Sequence, residues 1–346
     1  MRLLVLGGTR FIGDRIVREA LGRGEEVIVV HRGVTEPADT PGPDVGVRGS
    51  GGLTHLHADR AHFAEISGQV RALRPDAVID TRALTRADAD AVLPHLPDVP
   101  LVLLSSMDVY RAYELLLADQ PGRSAEVGRE VGRGRPVPVA EDGELRRGRY
   151  PLRGMIDGRD DYEKLDVEPG YLARGGAVLR LAAIYGERDP QRREEFILRR
   201  VRAGRTRIPV GAGTFLWTRG YVGDVASAVL AVLDSPTAAA GEIFNVGDLA
   251  TDTMRDYARR ILAAAGHEAE LVTVPDSAVP ADLDITKARA QHLLCDCGKL
   301  ARALGWHPSD AGDSIIRSVK WHLANPPAAA ADFADDDRAL LAVLKN

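Results

Sequence analysis

A chain of 346 residues, 45% hydrophobic and 27% charged, has an ordinary soluble balance and length enough for one large domain or two closely packed ones. Its formal charge of −5 excludes a general nucleic-acid sponge, and no apolar run approaches the roughly 18 residues of a membrane helix. The two cysteines, Cys295 and Cys297, are too few for a disulfide framework or a complete cysteine zinc site. They read as reduced thiols of a cytoplasmic protein, because the chain starts straight into its first strand and leaves no room for a signal peptide. Metal binding by this pair is a remote alternative, and no metal site is expected.

That first strand is the apolar run Leu3-Leu4-Val5-Leu6. Gly7-Gly8-Thr9-Arg10-Phe11-Ile12-Gly13 follows it, and Ile12, Ile16, Val17, Ala20 and Leu21 then recur at helical spacing. A second strand, Val27 to Val30, answers the helix. Strand, glycine turn, helix, strand is the context that a dinucleotide fingerprint needs. The glycines let the backbone approach a pyrophosphate, and the helix N-terminus offers free N–H groups and partial positive charge.

In the NAD-specific form of this unit an acidic residue ends the second strand. Here His31-Arg32-Gly33 stands instead. Arg10 and Arg32 are suited to converge on a 2′-phosphate, so NADP is expected before NAD. Residues 36 to 53 read as a loop rich in Pro and Gly. A third strand is expected over 53–58, a helix over 63–73, a fourth strand over 77–80 and a helix over 87–96. The turn Thr81-Arg82-Ala83 should face the cofactor. Leu101 to Leu104 makes a fifth strand of the buried parallel kind, and Ser105-Ser106-Met107-Asp108-Val109-Tyr110 follows it.

These stretches resemble the short-chain dehydrogenase/reductase superfamily, in particular its extended branch of NAD(P)-dependent epimerases and dehydratases. Gly7 and Gly13 match the outer glycines of that family's loop, with Arg10 at the middle position. The Gly-Gly-Thr-Arg-Phe-Ile-Gly variant is similar to an atypical bacterial and plastid subgroup that includes the chloroplast stem-loop-binding proteins. The resemblance implies that Gly7, Gly8, Thr9, Arg10, Phe11, Ile12 and Gly13 hold the pyrophosphate. It also implies that Asp59, with Arg60 beside it, touches the adenine. Ser106, three residues before Val109, takes the place of the catalytic Ser/Thr, which bonds the reacting oxygen; the alternative is a serine that caps the next turn.

From Leu115 to Tyr150 the chain turns polar, and residues 123 to 159 carry nine Arg against six Asp/Glu. Pro136 to Asp142 reads as extended. The segment is a lid over the site or a surface loop. In Asp160-Asp161-Tyr162-Glu163-Lys164-Leu165-Asp166-Val167-Glu168, Lys164 and Glu168 match the family's Lys-x-x-x-Glu. Lys164 is thereby expected on the nicotinamide ribose. Read as helix, the residue four before it is Asp160 and not the family's Tyr, while Tyr162 lies about 200° round from Lys164. Three outcomes stay open. Asp160 serves as acid/base, a tyrosine such as Tyr110, Tyr150 or a displaced Tyr162 reaches in, or redox chemistry is lost.

Ala177 to Gly186 resembles the family's sixth strand with its Tyr-Gly turn, which places Tyr185 near the nicotinamide. Residues 187 to 207 hold eight Arg against four Asp/Glu and read as a solvated helix face, or as a lure for an anionic substrate. Trp217 to Ala226 resembles the family's Arg-Asp-Phe-x-His-Val-x-Asp-Val-Ala, with Trp217 where the phosphate-gripping arginine belongs and Arg219 out of register. Asp224 is expected to cap a helix over 225–233. Glu242 to Gly247 resembles a strand of the substrate lobe. Further helices are expected over 254–265, 297–304, 314–323 and 337–344.

Alternation of strand and helix gives an α/β fold, a doubly wound parallel sheet with a smaller C-terminal substrate-binding lobe. Residues 1–176 are expected to form most of the dinucleotide-binding domain. Residues 177–325 interleave its last strands with the lobe, and 326–346 form a linker and terminal helix. The function expected is an NADP-dependent oxidoreductase or epimerase/dehydratase-like enzyme, cytoplasmic, acting on a small polar hydroxyl or carbonyl substrate. The family suggests a homodimer. The alternative is a dinucleotide-binding sensor or RNA-binding protein without catalysis.

Overall fold

The computed structural model describes residues 1–35, 52–118, 134–152, 160–328 and 332–344. The loop expected over 36–53, the middle of the polar stretch after Leu115 and the alanine linker fall largely outside the described residues.

The first part of the chain alternates as expected. Its elements are β1 (Arg2–Leu6), α1 (Phe11–Gly22), β2 (Glu26–His31), β3 (Leu53–His57), α2 (Phe63–Ala72), β4 (Ala77–Asp80), α3 (Arg86–Asp90), β5 (Leu101–Ser106) and α4 (Arg111–Ala118). Then come α5 (Lys164–Leu172), β6 (Ala177–Leu181), β7 (Ala183–Tyr185), α6 (Glu195–Arg202), β8 (Arg207–Val210), β9 (Arg219–Tyr221), α7 (Val222–Asp234) and β10 (Ile243–Val246). The last are α8 (Met254–Ala264), β11 (Glu270–Thr273), α9 (Gly298–Leu304), α10 (Ala311–Ala324) and α11 (Ala334–Leu344).

Seven strands form one parallel sheet in the order β10-β6-β5-β4-β1-β2-β3. Strands buried on both faces read as unbroken apolar runs, and Leu3, Leu4 and Val5 of β1 are each fully buried. Leu3, Val5, Val27 and Val29 belong to the core on the α1 side, while Leu4, Leu6, Ile28 and Val30 belong to the core on the other. The chain order reverses between β1 and β4. In such sheets the ligand crevice opens there, outside the strands' carboxyl ends. Two small parallel sheets, β7 with β9 and β8 with β11, build the lobe above that crevice.

Several expected elements shift. The sixth strand breaks at Ala182: β6 stays in the central sheet, while β7 leaves it to pair with β9. Helix α6 takes up only Glu195–Arg202 of the arginine-rich stretch. The helix expected over 87–96 is the short α3 followed by a 3-10 turn at Leu93–His95. Asp224 does not cap α7. It lies inside the first turn and accepts hydrogen bonds from the Ser309 amide and hydroxyl at 2.9 and 2.6 Å. Ile243–Val246 is an edge strand of the central sheet, not part of the lobe.

Candidate active site

The glycine turn is shaped by what surrounds it. Gly7 has φ +97°, and a Cβ there would lie 2.3 Å from Thr81 Oγ1. A Cβ on Gly13 would lie 2.7 Å from the Gly8 Cα, so Gly13 lets the helix pack on the turn, while Gly7 lets the turn pack on Thr81. Arg10 is extended at φ −141°, which explains why the middle position accepts a side chain; the left-handed φ falls on Phe11 instead, at 40°. No side chain caps α1. Its first N–H groups are therefore available to an anion. A pocket of about 290 Å³ above them is lined by Thr9, Arg10, Phe11, Asp14, Thr35 and Arg188. This cradle fits the pyrophosphate of a dinucleotide. Arg10 and Arg32 are both exposed.

Three residues expected on the cofactor are engaged within the protein. The Thr81 hydroxyl donates to the Leu6 carbonyl at 2.9 Å while the residue still lines the main cleft. Asp59 is exposed and caps the 3-10 turn that follows it, accepting from the Ala61 amide at 2.9 Å. Arg60 is ion-paired with the fully buried Asp80 and also bonds the Asp88 carbonyl, and Tyr171 closes the same cluster. Arg60 is thus an anchor between β4 and its neighbours.

The main cleft, about 610 Å³, opens between the glycine turn and the lobe and is lined by Phe11, Thr81, Ser106, Asp108, Tyr150, Tyr162 and Lys164, among others. β5 runs on to Ser106 because its register with β6 pairs Ser106 with Leu181. Ser106 then caps the 3-10 turn Met107–Val109, accepting from the Asp108 amide at 3.2 Å. It both caps the turn and lines the cleft. The turn swings Asp108 into the cleft, where it accepts from the Tyr162 phenol at 2.7 Å. Asp108 is 6% exposed and its second carboxylate oxygen has no partner among the described residues. Burial pushes its acid up from the ordinary value, against the pull of Tyr162 and Arg146. Burial and the Asp108 carboxylate push the Tyr162 phenol well up as well.

The stretch before Lys164 is not helical. α5 starts at Lys164, with Glu163 as its cap. Helical spacing therefore does not govern Asp160 and Tyr162. Tyr162 is 3% exposed and turns into the cleft, whereas Asp160 is exposed and outside it. Lys164 is buried, and its ammonium donates to the Ala83 and Leu104 carbonyls at 2.6 and 2.9 Å. An ammonium has three donors, so one remains for the cleft. Burial drives its pKa down to about 8.

Two buried ion pairs hold these groups. Arg146 bonds Glu163 at 2.6 Å and the Asp108 carbonyl at 2.5 Å, and its guanidinium lies 5.5 Å from the Tyr150 ring centre. One residue therefore ties the cap of α5 to the turn that carries Asp108. Glu168 bonds Arg180 at 2.8 Å and accepts from Ser105 at 2.6 Å. Arg180 continues to the Tyr110 phenol, which donates to Asn245 at 2.7 Å. Tyr110, a candidate for the missing tyrosine, is committed to that network. Tyr185 is 1% exposed and packs on Tyr221 and Tyr257; its neighbours Ala183 and Ile184 line the cleft in its place. Reading from spacing alone missed Asp108 and Arg146. The acid inside the Ser-Ser-x-x-Val-Tyr stretch was the available signal for the first; the second has none, because only the fold brings it there.

Gln191, Arg193 and Trp217 are shared with a second pocket of about 340 Å³. Arg219 lines it, its guanidinium 3.7 Å from the Tyr257 ring centre, bonding the Met254 sulfur and the Asp252 carbonyl. Arg193 lies 5.4 Å over Trp217. The departure of Trp217 from the family pattern thus still leaves arginines beside the cleft. Among the described residues no helix is long and apolar enough to cross a membrane.

The model of the NAD dependent epimerase/dehydratase family matches residues 3–95 and 171–247. The chloroplast stem-loop binding protein of 41 kDa b from Arabidopsis thaliana is 26% identical over 355 aligned positions, which cover 98% of this chain and 84% of that protein. Among solved structures, a UDP-glucose-4-epimerase from Stenotrophomonas maltophila with bound NAD and formylated UDP-arabinopyranose superposes with a TM-score of 0.68. It is 19% identical, with 95% of this chain and 100% of that one covered. A dTDP-glucose 4,6-dehydratase from Bacillus anthracis in complex with NAD gives 0.64 at 17% identity, covering 94% and 97%. At these identities the structures establish a shared fold.

Proposed function

This chain belongs to the NAD dependent epimerase/dehydratase family, and from that premise we propose that it is a nicotinamide-dinucleotide-dependent enzyme that oxidises, reduces, epimerises or dehydrates a sugar-like hydroxyl or carbonyl substrate. The observation that carries the reading is the meeting of Ser106, Asp108, Tyr162 and Lys164 in one cleft at the mouth of the glycine turn. When bound, the nicotinamide supplies the hydride chemistry. Ser106 orients the reacting oxygen. Lys164 holds the ribose through its remaining donor. Asp108 and Tyr162 together move the proton, in place of a tyrosine four residues before the lysine. A carboxyl group whose pKa is raised by burial holds a proton more readily than an ordinary carboxylate, as an acid/base role requires.

The absence of an acid at the end of β2 and the exposed Arg10 and Arg32 favour NADP(H) over NAD(H). The arginine-lined second pocket favours a substrate with an anionic portion beyond its reacting carbon. Screening sugar nucleotides and sugar phosphates for NADP(H) turnover, with Asp108→Asn as the inactive control, tests this directly. Turnover retained at the wild-type rate in Asp108→Asn would remove the proton-moving role.

The relative from Arabidopsis favours a second reading, because it aligns along nearly the whole chain and its name is that of a stem-loop binder. In that case the cleft would serve binding alone. Salt-dependent affinity for an RNA stem-loop, with no turnover on any sugar substrate, distinguishes it.

A further inference from the structure

β2 and β3 end side by side at the edge of the central sheet. Their register pairs Val29 with His55 and His31 with His57. Residues two apart on a strand share a face, so His31, His55 and His57 stand on the face that carries Val27, Val29 and Leu53. His31 is buried, His55 half-buried and His57 exposed. One ring nitrogen from each lies within 4.8 Å of the others. His31 Nε2 meets His55 Nδ1 at 2.7 Å, and the Gly33 amide donates to His31 Nδ1 at 3.1 Å.

We propose that His31, His55 and His57 form a binding site for a divalent transition-metal ion of the zinc class. The donor set argues for the kind of ion. Imidazole nitrogens suit zinc, nickel, copper or cobalt, whereas magnesium and calcium take oxygen ligands. The scaffold argues for a built site. The strands are locked by their parallel register, and a His-x-His pair on one strand with a His directly across projects three rings to one place.

Tetrahedral zinc–imidazole bonds of about 2.0–2.1 Å place ligand nitrogens roughly 3.3 Å apart. The His31–His55 contact opens by about half an ångström to meet that distance, and His57 closes from the exposed side by side-chain rotation. In the neutral His31 ring, Nδ1 accepts from Gly33, so Nε2 carries the proton directed at His55. A metal ion at Nε2 takes that proton's place. The ring proton moves to Nδ1 and the Gly33 hydrogen bond is released, with no change in the ring's charge. Metal uptake is thereby coupled to the chain that leaves β2 at Gly33.

The test is calorimetric titration of the full-length, untagged, chelator-treated protein with zinc chloride, repeated with cobalt(II) while its visible absorption is recorded. One ion per chain and the intense absorption of low-coordinate cobalt are expected. His55→Ala and His57→Ala should each weaken binding at least about tenfold, while Cys295→Ser/Cys297→Ser leaves it unchanged. Because His57 is exposed, His57→Ala is expected to fold even where a His31 variant does not. Absence of stoichiometric binding, binding unaffected by either histidine variant, or binding that requires the cysteines would each overturn the proposal. None of these outcomes depends on the enzymatic activity assigned to the cleft.

Discussion

Tyr162 donates a hydrogen bond from its phenol to Asp108 at 2.7 Å, 54 positions away in the sequence. The pair lines the same cleft as Lys164 although Tyr162 is only two residues before it, because α5 begins at Lys164 and its cap, Glu163, is extended.

Asp108→Asn preserves the shape of the pair but removes its titration. Turnover is expected to fall about 10²- to 10⁴-fold, and Tyr162→Phe to fall comparably. The fold should respond the opposite way. The folded protein holds the Asp108 pKa above its ordinary value of 3.8, so the charged form is less stable in the cleft than in the unfolded chain. Stability is therefore lost as pH rises through the window above 3.8, and at pH 7 Asp108→Asn should raise the melting temperature. A variant that loses both activity and stability would show Asp108 to be a structural carboxylate.

Lys164 titrates in the reverse sense. Its pKa is about 8 in the folded protein against 10.5 ordinarily, so the unfolded chain binds more protons between those values. Stability should rise with pH between about 8 and 10.5, and Lys164→Met should flatten that rise. Urea denaturation at pH 7.5 and 10 measures it. The same variant is expected to weaken dinucleotide binding at least about tenfold; equal affinity would separate Lys164 from the cofactor.

Arg146 and Glu163 form a buried ion pair. Removing one partner strands the other, so Arg146→Met should destabilise by about 3–5 kcal/mol, whereas Arg146→Met/Glu163→Met should recover much of that loss. In the double variant the turn bearing Asp108 is no longer tied to α5. Its kcat should stay low after stability returns, while KM changes little. Recovery of both together would make Arg146 a purely structural residue.

Much of the fold was legible because burial on both faces writes itself as short apolar runs, and β1, β2, β4 and β6 were each readable from one such run. The glycine turn was legible for a local reason too: Gly7 needs its positive φ, and Gly13 lies against the Gly8 backbone within that unit. The acid/base pair was not, because its geometry is tertiary. Spacing arithmetic assumed a helix through Asp160 and Tyr162, but α5 starts only at Lys164, and the 3-10 turn after Ser106 decides where Asp108 points. Arg60 and Tyr185 were misplaced for a related reason, since buried Asp80 and the Tyr221–Tyr257 cluster draw them inward.

The most direct test of a nicotinamide-dependent active site is a titration of the purified protein with NADPH and with NADH, followed by nicotinamide fluorescence, in wild type and Arg32→Asp. Saturable NADPH binding at micromolar concentrations, weaker NADH binding and a reversed preference in Arg32→Asp are expected. Binding of neither nucleotide would contradict the enzymatic reading and leave the stem-loop reading in its place.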